Sequence, residues 1–168
     1  MAENTNVKAL EVDDQHHVDM INPVLFASAI SNVVNVSLME VEITSEQMEA
    51  LFAAISYQDR PLRKLEVNTS LTRDIDPALV GLALNRLDEV RTYGPWISAA
   101  QITAIIRNLV QGTSRLKKLM VDVLDAAAVE ELDADLVRRA KEKVGKFYLV
   151  GDEEEDDVGD GDEEDGED

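Results

Sequence analysis

Six hexapeptides cut to one template constrain this chain more than any other feature. They are VKALEV (7–12), VVNVSL (33–38), LRKLEV (62–67), LDEVRT (87–92), LKKLMV (116–121) and VGKFYL (144–149). Apolar residues occupy places one and four in all six, and place six in all but the fourth, where Thr92 stands. Successive copies begin 26, 29, 25, 29 and 28 residues apart, about the length of one strand plus one helix. In an extended chain, places four and six point to the same side and enter a core together, while three, five and seven point to the other.

The segments between the copies have helical period. Met48, Leu51, Phe52 and Ile55 fall at i, i+3, i+4 and i+7, as do Ile102, Ile105, Ile106 and Leu109. Asn22-Pro23 and Asp76-Pro77 each predict an N-cap followed by proline at the first helical position. Thr44 with Gln47, and Ser98 with Gln101, predict capping boxes. The two kinds of start alternate, 54 residues apart within each kind, so the duplicated unit is two strand–helix pairs. DAAAVEELDADLVRRAKEK carries neither device, as the end of an array often differs from its middle. One strand–helix pair cannot bury its own apolar face. Stacked pairs give an α/β fold with about six parallel strands on one side and about five helices on the other, curved because helices are wider than strands.

LxxLxL followed by a helix every 25–29 residues resembles the leucine-rich repeat family, in its long-repeat branch typified by ribonuclease inhibitor and NOD-like receptor arrays. The resemblance covers residues 7–150 and implies a solenoid with a concave strand face and a convex helix face. It carries no reaction, since the family binds many partners. The family's usual asparagine at place nine is missing: those places hold Gln15, Val41, Ser70, Pro95, Leu124 and Asp152. The turns after the strands are therefore expected to be irregular, YGPW (93–96) most of all.

Charge divides the chain. Of 35 acidic residues, 13 lie in the final eighteen, GDEEEDDVGDGDEEDGED, which hold no lysine or arginine. The other 22, against 16 basic residues, leave the body at −6 of a net −19. The chain divides into a short lead (1–6), a repeat domain (7–150) and an acidic tail (151–168) expected to be disordered. The tail is either a solubilising brush or an electrostatic binder of basic proteins such as histones. A repeat body with such a tail is similar to the acidic leucine-rich nuclear phosphoproteins and to Ran GTPase-activating proteins. The first have shorter repeats and much longer tails, and the second about twice as many repeats, so no residue carries over.

The chain has no cysteine, which excludes disulfides, thiolate metal sites and cysteine catalysis. The amino terminus shows no secretory pattern and no apolar run is long enough to span a bilayer, so the expected setting is the cytoplasm, with the nucleus open. No phosphate loop, zinc spacing or catalytic triad is present, so no cofactor, metal or enzymatic activity is expected. Adjacent His16 and His17 point opposite ways on an extended chain, and Trp96 fits as a wedge in its turn. Basic LVRRAKEK (136–143) ends a helix, where cations offset the dipole; with an acidic body and tail, direct nucleic-acid binding is not expected.

What remains is a binding surface. The expected partner site is the concave face: Lys64, Glu66, Arg91, Tyr93, Lys118, Met120, Lys146 and Tyr148, with Arg91, Tyr93, Met120 and Tyr148 as its centre. Six strands about 20 Å long and about 4.8 Å apart make a face of roughly 600 Å², against about 800 Å² per partner in a standard interface. The reading is a protein-binding module. The alternatives are a tail-driven chaperone of basic proteins, or a structural unit that self-associates through its first repeat.

Overall fold

The structure, a computed structural model, describes residues 9–11, 18–38, 41–57, 59, 61–68, 74–93, 97–112, 114–121 and 130–149. Strands and helices alternate: β1 (Ala9–Glu11), α1 (Pro23–Ser31), β2 (Asn35–Leu38), α2 (Ser45–Tyr57), β3 (Lys64–Asn68), α3 (Pro77–Leu84), β4 (Glu89–Tyr93), α4 (Ala99–Val110), β5 (Lys118–Val121), α5 (Ala134–Lys143) and β6 (Lys146–Leu149). The six strands form one parallel sheet in chain order, β1 to β6. The helices follow the same order, each packed on the next. The fold is thus α/β, built by repetition of neighbouring pairs.

The hexapeptides straddle the turn and the strand. Every strand begins at place three, and place one is buried just before it in Val33, Leu62, Leu87, Leu116 and Val144. The place-two carbonyl explains the boundary. Val34 O accepts from Arg63 N at 2.8 Å and Lys64 N at 3.1 Å; Arg63 O accepts from Asp88 N at 2.8 Å and Glu89 N at 3.0 Å; Asp88 O accepts from Lys117 N at 2.8 Å and Lys118 N at 3.2 Å. Each carbonyl therefore takes both the turn and the first strand residue of the next unit, which sets the register at the strand's start.

Places four and six face the helices. Val36, Leu38, Leu65, Val67, Val90, Leu119, Val121, Phe147 and Leu149 are buried in one core with Met48, Leu51, Phe52, Ile55, Ile102, Ile105, Ile106 and Leu109. Thr92, the one polar residue at place six, is also buried, and its hydroxyl donates to Met120 O at 3.4 Å. α3 and α4 approach closely at Gly81, where a Cβ would stand 3.0 Å from the carbonyl carbon of Ala104. Asn85 ties the same pair, its amide donating to Gly81 O at 2.7 Å and Ile105 O at 3.0 Å.

The helix starts are as the spacing predicts. Asn22 caps α1 and Asp76 caps α3, with proline following. The Thr44–Gln47 and Ser98–Gln101 boxes are both closed. Both glutamines also reach into the preceding unit: Gln47 Nε2 donates to Val18 O at 2.6 Å and Ile21 O at 2.8 Å, and Gln101 Nε2 to Ile75 O at 2.9 Å. Ile21 and Ile75 are themselves 54 residues apart, so the duplication includes this hydrogen bond, buried in the second copy and partly buried in the first. α5 lacks both predicted devices but has a cap of its own, Asp133, which accepts from Asp135 N and Leu136 N.

Gln101→Ala removes half of a capping box and strands a buried carbonyl. It is expected to cost about 2–4 kcal/mol in urea unfolding, against about 1 kcal/mol for Asp76→Ala, which loses a cap alone.

Candidate binding face

The face opposite the helices is built from two ladders. In one, Asn35, Lys64, Glu89, Lys118 and Lys146 stand in register across β2 to β6; in the other, Ser37, Glu66, Arg91, Met120 and Tyr148 do. All eight residues expected from the sequence lie in these rows, except Tyr93, which sits two places beyond Arg91 and pairs in register with Asn68. The rows are less cationic than the expected set suggests, because Glu89 separates Lys64 from Lys118.

The centre is polar and partly buried. Lys64 Nζ lies 2.9 Å from Glu66 Oε1, with the Glu66 side chain only 20% exposed. On the next strand Arg91 stands opposite Glu66, its guanidinium 4.4 Å from the centroid of the Tyr93 ring. Residues two apart on a strand share a face, so this cation–π contact follows from the spacing of Arg91 and Tyr93. Burial pushes the Glu66 carboxyl up, but the hydrogen bond and charge of Lys64, a hydrogen bond from Ser37 and the charge of Arg91 together outweigh it and hold it below the usual glutamate range. Arg91 Nε is buried with no hydrogen-bond partner among the described residues. Tyr148 is exposed and Met120 partly so.

Neither the hydrogen bond between Ser37 and Glu66 nor the unpaired Arg91 nitrogen follows from spacing, since both depend on side-chain conformations across neighbouring strands. Among the described residues the strands run three to five residues and begin at place three, because places one and two belong to the turns. At about 3.3 Å per residue and about 4.8 Å per strand, the described part of the face spans roughly 300–400 Å².

Basic LVRRAKEK is engaged within the protein. Arg138 bridges Asp135 and Glu142 at 2.6 Å each, and Lys143 donates to Val110 O at 3.0 Å, at the C-terminal end of α4. His16, His17, YGPW after Tyr93, the place-seven residues Asp13, Met39, Asp122 and Val150, and the acidic run 151–168 lie outside the described residues. Among the described residues no three His, Asp or Glu side chains converge as metal ligands, and no helix is long and apolar enough to cross a membrane. No family model, curated protein or solved structure matches the chain.

Because the Glu66 carboxyl is held low, its contribution to stability is fully present above the ordinary glutamate value and lost as pH falls through the lower, folded value. Lys64→Met removes its nearest cation. Carbon-detected NMR titration of Glu66 is expected to move upward in that variant, and an unchanged titration would show that Lys64 does not set it.

Proposed function

We propose that the chain is a leucine-rich-repeat-type solenoid that acts without catalysis, binding a protein partner through its open sheet face. The observation that carries this reading is Arg91: stacked on Tyr93, opposite Glu66, with a buried Nε that has no hydrogen-bond partner among the described residues. A buried donor left unmade costs about 1–3 kcal/mol, which a ligand would recover by drawing the side chain outward onto an acceptor. Met120 and Tyr148, in register beside Arg91, add apolar area with a polar tip. The described part of the face is about half of one standard partner surface. It suits an extended peptide or a single helix carrying a carboxylate or carbonyl for Arg91.

The run of 13 acids after β6 supports a second mode, electrostatic capture of basic proteins. The two modes differ in salt dependence and in the residues they need. Joint replacement of Arg91, Tyr93, Met120 and Tyr148 by alanine is expected to abolish partner capture with little change in salt sensitivity. Removal of residues 151–168 is expected to leave that capture in place. If the quadruple variant binds as before and the truncated chain does not, the sheet face is not the site and the tail is.

A further inference from the structure

The 54-residue duplication supplies an internal control for surface exposure. α1 and α3 begin alike, with Asn22-Pro23 and Asp76-Pro77, and positions 26, 27 and 30 are buried as are 80, 81 and 84. Three positions differ. Ile21 is 44% exposed where Ile75 is 4%; Leu25 is 66% exposed where Leu79 packs against the core; Ala29 is exposed where Ala83 is fully buried. The residue types are identical in each pair. Leu25 and Ala29 fall at i and i+4 on one side of the helix, and Ile21 stands at its N-terminal end, just before the cap.

The cause lies in the neighbours. α3 is flanked by α2 and α4, whereas α1 has α2 in the place of α4 and no described helix in the place of α2. The residues covered on α3, which packs between α2 and α4, are therefore kept, residue for residue, on a helix where they face solvent. Met20 and Val24 widen the apolar area beside them.

We propose that this apolar surface pairs with the same surface of a second copy of the chain, α1 against α1 in antiparallel fashion about a two-fold axis at Leu25. The surface is complementary to itself in that arrangement: Ile21 meets Ala29 of the second copy, large against small, and Leu25 meets Leu25. Residues 20–31 carry no charge, so the pairing buries none. The opposite end of the fold does not offer a head-to-tail alternative, because α5 turns Asp135, Arg138, Arg139 and Glu142 to solvent. The pairing leaves β6 of each copy at the far edge of its sheet, about 24 Å from β1 across five strand spacings.

Sedimentation equilibrium of the full 168-residue chain at physiological salt tests this. The mass is expected to rise from one chain to two with concentration. Leu25→Arg is expected to weaken the association at least about tenfold, the value of one buried leucine, with the thermal midpoint of the dilute monomer unchanged. Leu82→Asp, an exposed leucine on α3, is expected to leave it intact. The chain has no cysteine, so Leu25→Cys is expected to form an inter-chain disulfide under mild oxidation faster than Tyr57→Cys, which is also exposed. A single-chain mass at every concentration overturns the self-pairing. Association that survives Leu25→Arg, or equal cross-linking at positions 25 and 57, also overturns it.

Discussion

The shared carbonyl at place two is the contact on which the rest of the sheet depends. A parallel pair of strands has no hairpin to fix its register, and a slip of one residue would exchange the buried face for the open one. Here Val34, Arg63 and Asp88 each hold two successive amides of the next unit before the strand proper begins. The buried place-one residue beside each carbonyl keeps that turn against the core. Register from β2 to β5 is thus set at each strand's entrance, and the side chains along the strand inherit it. Both ladders of the open face are consequences of that entrance.

The helix layer is tied by a different device at twice the period. Gln47 and Gln101 close their own helix starts and reach into the unit before, so one side chain serves both local and long-range order. Such a residue couples neighbouring units more tightly than packing alone, because its loss leaves a buried carbonyl without a donor. Between these cross-ties, Gly81 and Asn85 bring α3 and α4 together.

Much of this was legible in the sequence because repetition turns a weak pattern into a strong one. One LxxLxV is ambiguous, but six at regular spacing, with caps that alternate in step, leave few arrangements. The inward set, the helix starts and the rows of the open face all follow from period two and period 3.6. Three things did not follow. The strands begin two residues into the hexapeptides, since apolar residues are needed in the turns as much as in the strands. Asp133 caps α5 without a proline or a glutamine to announce it. The isolation of Arg91 Nε depends on side-chain conformations across strands, which no spacing rule encodes.

Strand order has a mechanical consequence. With β1 at one edge of the sheet and β6 at the other, a pull on the two ends acts across the strands and not along them. Such a load meets one ladder at a time, so the molecule peels from an edge and never has to shear all its hydrogen bonds at once. Each unit that leaves exposes the inner flank of its neighbour and removes nothing from units further in. The fold therefore gives way under tension in small steps, as a row of hooks opens, and closes again from whatever part stays paired.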